Sequence, residues 1–495
     1  MKRSLLSYTS NLLTGMVLLL LLGSCEKGLE PQVFNAIAPE NFPKTESDVS
    51  TIVAGSYHEL RGGGWERYTS SWGGWLTQGI GNTDEFITNW YTIEQEDYLW
   101  RPESGFCSTF YNQMLPAVTK ITRNIEQIKL APVSAPVIDQ AVVELRCVRA
   151  MLAFDLYDQY GPVPIIKDPE YAMDIQKAST YQPTRPSKDG YVSFLETELR
   201  EVAKSLPVSY DAANFGRMSK GAALTVLLKL YMHEKRWDDA VAVTRQIMDL
   251  KHYQLQPAFS DIWAPGNKGN LEIIFALPNV AIEGGYGNNW LAHVLPPSYV
   301  SKNNVPLTRW NGFRLPWAVW DSFDPKDKRR EPFVRWYWNG TKMVDGRTDP
   351  NLAKGAIPMK YPENPNTTGT DDASDYVIYR YADVLLCRAE ALNEVNKAPT
   401  QESIDLVNLL RARGEVPPLK LADFDLNSFR DRILQERQWE LCYEGSRRQD
   451  LIRHGKLISN ALSRGKTQAS EKHLLFPIPQ KAINENPNLV QNPGY

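Results

Sequence analysis

The stretch GAALTVLLKLYMHEKRWDDAVAVTRQIMDL, residues 221–250, decides how the rest of the chain is read. Two apolar helical segments are joined by Lys235-Arg236-Trp237, and Tyr231 and Ala240 stand nine apart, a spacing similar to that of tetratricopeptide helix pairs. Such a pair exposes an apolar face unless a neighbour stacks on it, so one pair implies an array. A second pair, with a longer turn, runs from Tyr376 to Gly414. Between Ser134 and Gly161, residues Val137, Ala141, Leu145, Val148, Leu152 and Leu156 recur at helical spacing, and the pattern stops at Gly161-Pro162. Further helices are predicted at about 45–61, 106–130, 187–206, 219–235, 238–251, 375–396, 401–413 and 428–456. The fold class is therefore mainly α. Residues 256–372 break the pattern: thirteen prolines fall there, and only Leu271–Leu277 (LEIIFAL) reads as a strand. This segment is expected to be a long irregular insertion, with helical scaffold at 44–255 and 373–495, and long ordered loops tend to carry function.

The amino terminus reads as a targeting segment. Lys2 and Arg3 precede Leu12–Leu22, which is broken only by Thr14 and Gly15. Eleven residues at ~1.5 Å rise span about half of a ~30 Å hydrocarbon core, so this is a signal peptide, residues 1–24, and not a membrane helix. Leu22-Gly23-Ser24-Cys25 looks like a bacterial lipoprotein box, which makes Cys25 the lipidation site. Three acyl chains exceed the two-signal threshold for stable membrane attachment. Residues 25–43, with Pro31, Pro39 and Pro43 and no period, read as a lipidated leash.

Composition removes whole classes of function. The 495 residues carry a net charge of -3, with 42 % apolar and 23 % charged residues, which describes a globular chain lacking the basic footprint of a nucleic-acid binder. Cys107, Cys147, Cys387 and Cys442 are scattered, show no Cys-x-x-Cys, and read as buried thiols. There is no Gly-x-Ser-x-Gly, His-Glu-x-x-His, P-loop or dinucleotide fingerprint, and no cofactor is expected. Asp423-x-Asp425-x-Asn427 begins like a calcium loop, but Ser428 and Leu434 stand where Gly and Glu are needed, so helix-start polarity is the better account and a structural calcium lacks a motif. Glu436, Arg437, Glu440, Glu444, Arg447, Arg448, Asp450 and Arg453 read as a ladder of pairs three and four apart that also bonds to neighbouring helices.

The 14 tryptophans are unevenly placed. Trp65, Trp72, Trp75, Trp90 and Trp100 form one cluster, and Trp310, Trp317, Trp320, Trp336 and Trp338 another. Both lie in aperiodic segments among Gly and Asn, where core packing would instead place aromatics on amphipathic stripes. Aromatic faces beside polar amides suit sugar rings, whose C–H faces stack while hydroxyls bond to Asn, Asp and Arg. Trp317 and Trp320, three apart before Phe323, read as one helical turn facing the core.

At this point the chain resembles the SusD/RagB family of outer-membrane nutrient-binding lipoproteins, over nearly all of its mature length. The resemblance rests on Tyr381-Ala-Asp-Val-Leu-Leu-Cys-Arg-Ala-Glu-Ala-Leu-Asn-Glu394, Val407-Asn-Leu-Leu-Arg-Ala-Arg413, Glu436-Arg-Gln-Trp-Glu-Leu-Cys-Tyr-Glu-Gly445 with Arg447 and Asp450-Leu451, and the ending Phe476-Pro-Ile-Pro479 to Gln491-Asn-Pro-Gly-Tyr495. Asp324-Pro-Lys-Asp-Lys-Arg329 and Ala150–Pro164 also fit. The resemblance implies four tetratricopeptide-like helix pairs, a variable region that builds the ligand site, and a TonB-dependent outer-membrane transporter as partner. It also implies a non-enzymatic protein that captures oligosaccharide at the cell surface. Thr83-Asp84-Glu85 before Trp90 resembles a stretch near the binding face of some members. The expected stacking residues are Trp75, Trp90, Trp290 and Trp310, with Asp84, Glu85, Asn289, Arg309 and Asn311 as hydroxyl partners. The alternatives are a peptide-binding member of the same family and a surface glycoside hydrolase.

Overall fold

The computed structural model describes residues 42–61, 68, 74–90, 93–281, 287–367 and 369–495. The signal segment, Cys25 and the leash up to residue 41 lie outside them, as do Trp65 and Trp72. Nine helices of 13 residues or more carry the described chain: α1 (Glu46–Arg61), α2 (Gly105–Lys129), α3 (Ala135–Tyr160), α4 (Lys188–Ser205), α5 (Lys220–His233), α6 (Trp237–Asp249), α7 (Tyr381–Asn396), α8 (Gln401–Arg413) and α9 (Leu426–Leu441). The fold is mainly α.

The helices begin where the sequence supplies a cap. Ser187 accepts from the Gly190 N–H and Ser219 from the Ala222 N–H, at the starts of α4 and α5. Thr400 with Ser403, and Asp425 with Ser428, close capping boxes on α8 and α9, so the aspartates of the calcium-like stretch include a helix cap. Each helix then packs on its successor: α2 on α3, α3 on α4, α4 on α5, α5 on α6, α6 on α7, and α7 on both α8 and α9. That stacking order buries the faces that isolated pairs would expose. Tyr231 and Ala240 are both fully buried where α5 meets α6, and the Tyr231 hydroxyl donates to Glu196 of α4, tying three helices together.

Two helical readings are corrected. The segment 375–396 begins as a strand, Tyr376–Arg380, because its β-branched and aromatic side chains are buried on both faces and pair antiparallel with Ile273–Leu277. The segment 428–456 is broken after Leu441: Tyr443 and Gly445 take positive φ of 61° and 82°, and a short helix resumes at Arg447–Arg453. An alanine-like Cβ at Gly445 would also meet the Trp75 ring at 2.9 Å, so the break needs glycine twice over.

The strands lie almost wholly between residues 273 and 380. In chain order they are β1 (Ile87–Thr88), β2 (Ile273–Leu277), β3 (Phe313–Pro316), β4 (Phe333–Val334), β5 (Trp336–Trp338), β6 (Met343–Asp345), β7 (Gly355–Pro358) and β8 (Tyr376–Arg380). One sheet has the order β1-β3-β7-β4; β2 pairs with β8 and β5 with β6. The β1–β3 pairing carries the segment after residue 86 onto the insertion.

The C-terminal charges are mostly not a ladder along one helix. Arg380 bonds Glu272 (2.9 Å), Glu440 (2.6 Å) and Glu444 (2.6 Å), and Arg413 bonds Glu272 and Glu440. Arg329 reaches Asp327 and Glu436, and Arg437 reaches Asp383 and Asp450. These groups are buried and join β8, α7, α8, α9 and the 324–331 turn. Only contacts such as Arg453 to Asp450 follow the helical spacing. Cys107, Cys147, Cys387 and Cys442 are buried free thiols. No described helix is long and apolar enough to cross a membrane.

Candidate functional site

The pairing of β1 with β3 sets Thr88-Asn89-Trp90 beside Trp310-Asn311-Gly312. The Asn89 N–H donates to the Gly312 carbonyl (2.9 Å), and the Trp90 indole N–H donates to the Trp310 carbonyl (3.0 Å). The same strand is fastened on its other side to the short helix Trp290–Val294: the Trp310 N–H donates to Ala292 (2.7 Å) and the Gly312 N–H to His293 (2.7 Å). A Cβ on Gly312 would meet the Trp90 ring at 2.6 Å and the His293 carbonyl at 2.8 Å, so only glycine lets the three segments meet. Asn311 takes φ of 59°, a left-handed conformation that asparagine tolerates better than most residues.

His293 is the pivot of this group. Its ring lies 4.6 Å from Trp310, edge on, 5.4 Å from Trp90, and 5.3 Å from Phe313. It is fully buried, and burial holds its pKa down at about 4, so the imidazole is neutral at physiological pH. Trp90 and Trp310 remain half-buried, with Arg309 exposed beside them and Asn289 half-buried at the start of the short helix. The Arg309 guanidinium donates through Nη1 to the Tyr299 carbonyl (2.7 Å), which anchors one edge of the head, while the Asn289 side-chain oxygen accepts from the Tyr376 hydroxyl (3.1 Å). The Asn311 amide is already engaged: its nitrogen donates to Asn351 and its oxygen accepts from Arg314. Asn351 also accepts, through its carbonyl, from Asn89 and Arg314.

Four residues of the expected set sit elsewhere in the architecture. Trp290 is 1 % exposed, with its N–H on the Pro358 carbonyl (2.7 Å) and its ring against Phe313 and Tyr443. As a ring for ligand to stack on it is ruled out by burial; it supports Phe313 from below. Glu85 is also 1 % exposed and accepts the Tyr443 N–H (3.1 Å); burial pushes its pKa up to about 8. Asp84 is bound by both arms of Arg447 (2.8 Å each) and by Asn460 (2.9 Å). Burial works against its charge, but Arg447, Arg464 and Asn460 outweigh it and hold the carboxyl below its ordinary range. Asp84 and Glu85 thus clasp the turn after Ile80 to the 443–460 segment. Trp75 stacks on Tyr68 (5.8 Å) and walls a cavity of about 60 Å³ with Phe154, Asp155, His233 and Gly445. Trp317 and Trp320 do form one helical turn, edge to face at 5.8 Å, with their N–H groups on the Leu352 and Phe333 carbonyls.

Sequence reasoning missed His293, Asn89, Asn351 and Arg314. No periodicity marks them; they meet because Thr88 and Gly312, 224 positions apart, become strand neighbours.

A family model described as the SusD family matches residues 334–495. The chain is 24 % identical to SusD-like protein P25 of Formosa agariphila over 95 % of this chain and 97 % of that protein, and 24 % identical to its SusD-like protein P2 over 98 % and 99 %. The C-terminal third of the chain thus matches the SusD family, and the whole chain is similar to SusD-like proteins. Solved SusD-like structures share its fold. A laminarin-binding SusD-like protein superposes with a TM-score of 0.75 at 21 % identity, covering 92 % of this chain and all of the other. Surface glycan-binding protein A from Bacteroides thetaiotaomicron, solved in complex with laminarihexaose, superposes with a TM-score of 0.73 at 19 % identity, covering 90 % of this chain and 99 % of the other. The segment that the SusD model matches contains the Arg380, Glu440 and Arg437 network, whereas all nine candidate ligand residues, from Trp75 to Asn311, precede it.

Proposed function

We propose that this chain is a non-enzymatic, surface-exposed lipoprotein, anchored through Cys25 in the outer membrane, that binds oligosaccharide and delivers it to a TonB-dependent transporter. One observation carries the reading: Trp90 and Trp310, from distant segments, converge half-exposed around a buried neutral His293, with Arg309 and Asn289 at the margin. Indole faces offer stacking area for the C–H face of a pyranose, and adjacent fixed donors and acceptors set its orientation. Structural neighbours that bind laminarin or laminarihexaose support glycan as the ligand class.

Within this reading Trp90 and Trp310 stack, and Arg309, Asn289 and the outer edge of Asn311 bond hydroxyls. Asp84, Glu85 and Trp290 act as positioning residues. Trp75 is an outlying stacking candidate on its own cavity. Isothermal titration of the full chain in detergent against β-glucan, α-glucan and mannan oligosaccharides, with peptide mixtures alongside, tests the proposal. At least one glycan is expected to bind, with Trp310→Ala and Trp90→Ala each weakening it about ten-fold, the equivalent of ~1.4 kcal/mol. Peptides binding where no glycan does would overturn it in favour of a peptide-binding member. Release of new reducing ends from a bound glycan would overturn its non-enzymatic part.

A further inference from the structure

A second aromatic face follows β4, the edge of the β1-β3-β7-β4 sheet opposite to the β1 edge that leads into Trp90, and the ligand reading above does not use it. In the β5–β6 hairpin, Trp336 and Trp338 alternate with the buried Tyr337 and so share the outer face, about 6.7 Å apart as strand residues i and i+2. Trp336 is 54 % exposed, the most open indole among the described residues, and its ring carries the Arg335 guanidinium 4.9 Å from its centroid. Beside it, Trp320 carries Arg330 at 4.4 Å, and Trp317 carries Arg347 at 4.3 Å. These guanidinium and indole planes hold one another flat without immersing the cations.

Trp320 and Trp336 wall a surface groove of about 510 Å³, with Lys326, Lys328, Arg330 and Arg335 around it. The acidic residues there are largely committed. Asp327 is buried on Arg329, Glu331 pairs with Lys328 (2.9 Å), and Arg335 is matched by Asp345 behind it. Glu415 is the remaining carboxylate at the rim, and it acts on Lys328. Lys326 and Arg330 have no carboxylate within ion-pair distance among the described residues; Arg330 donates only to the Pro325 carbonyl (2.6 Å). The groove therefore combines an open indole face with two uncompensated cations on a short, well-braced turn. A neutral sugar would use the ring and leave the cations unanswered. A sugar bearing an anion would use both.

We infer that this groove is a second glycan-binding site, selective for acidic saccharides, in which a ring stacks on Trp336 and its carboxylate or sulfate ester is held by Arg330 and Lys326. The inference rests on the glycan-binding reading above and adds a site and a ligand class to it. Arg330 presents a planar fork that matches either oxyanion, and Lys326 supplies a mobile point charge. Because the groove is open to solvent, the charge contribution is screened, so preference for acidic glycan falls as salt rises.

The test compares the full chain in detergent on four probes: polygalacturonate and its carboxyl-reduced form, and κ-carrageenan and its desulfated form. The unmodified chain is expected to bind at least one acidic probe about ten-fold more tightly than its neutralised partner at low salt. The pair that shows the margin distinguishes carboxylate from sulfate. The double variant K326Q/R330Q is expected to lose that margin, Trp336→Ala to weaken the acidic probe, and Trp310→Ala to leave the margin intact. Lys326 and Trp336 are exposed and Arg330 is half-buried on Trp320, and unchanged melting temperatures keep folding out of the comparison. An unmodified chain with no acidic preference, or a margin that survives K326Q/R330Q, overturns the inference even where Trp310→Ala still weakens neutral-glycan binding. If the second-site variants leave all glycan binding unchanged but release a co-purifying transporter, the groove is a protein-docking face and the inference also falls. Absence of any glycan binding overturns both readings together.

Discussion

The C-terminal ionic core and the Trp90–Trp310 face are both dense in polar and aromatic groups, yet they satisfy them in opposite ways. In the core, Glu440 meets Arg380, Arg413 and Arg329, and Glu272 meets two of the same arginines, all out of solvent. At the aromatic face the buried members, His293 and Trp290, are satisfied by backbone carbonyls, while Trp90, Trp310 and Arg309 keep an open side. A network closed on itself has nothing left to offer a ligand. A face built on satisfied supports, with its rim still open to solvent, is prepared to bind. The recognisable family segment covers Arg380, Arg413 and Glu440 of the closed region, though not Glu272 or Arg329, and the candidate contacts fall outside it.

The sharpest way to break this contrast is to open the closed network. Glu440→Ala strands three guanidinium groups away from water, and loss of one partner from a buried ionic cluster costs about 3–5 kcal/mol. A fall in melting temperature with no folded-state change at the Trp90 face is the expected result, read by calorimetry; a loss below ~1 kcal/mol would mean that the cluster is not acting as a unit. The same carboxylate gives a pH signature. Burial opposes its charge, but Arg413, Arg380 and Arg329 prevail and hold its pKa at about 2, below its ordinary 4.5. Its stabilising contribution is therefore full above 4.5 and is lost as the pH falls from there toward 2. Somewhat smaller is the effect of Trp290→Ala, about 3 kcal/mol, since it removes a fully buried ring and the hydrogen bond to Pro358.

These two residues also show how far the sequence could be read. The helix array was legible because its signals are local: Tyr231 and Ala240 nine apart across one turn, and Val137 to Leu156 at helical spacing. Tyr376–Arg380 was misread as helix because an uninterrupted apolar run fits either period until a partner strand is known. The ionic network was visible as composition, but its partners Glu272 and Asp327 lie far upstream of the helices they serve. At the aromatic face, tryptophan clustering brought attention to the right segments. It does not say which side of a ring faces water, and so Trp290 could not be separated from Trp310, nor Glu85 from an exposed acid.

Glu85 makes the next contrast. Unlike Glu440 it is buried with too little positive charge near it, and its pKa is raised to about 8 from 4.5. The folded state then holds a proton that the unfolded state releases, so stability falls as the pH rises from 4.5 through 8, the reverse of the Glu440 dependence. Glu85→Gln keeps an acceptor for the Tyr443 N–H and removes the charge. It is expected to be near neutral at pH 5 and to stabilise by ~1–3 kcal/mol at pH 9, checked by denaturant melts at both values. Equal effects at the two pH values would show that Glu85 ionises freely in the fold and would return it to the set of hydroxyl partners.

The smallest stability effect belongs to Trp310→Ala, and its smallness is the informative part. The ring is half-buried and meets His293 edge on, an aromatic contact worth about 0.5–1.5 kcal/mol beyond its area. Its backbone, not its ring, carries the hydrogen bonds to Ala292 and Trp90. Removing the ring should therefore lower stability by only about 1 kcal/mol while costing about ten-fold in glycan affinity. Trp290→Ala should show the inverse, a large loss of stability with any loss of affinity following from unfolding and recovered at lower temperature. If instead Trp310→Ala destabilised as much as Trp290→Ala, its ring would be part of the support, and the open side of this face would have to be sought at Trp90 and Arg309 alone.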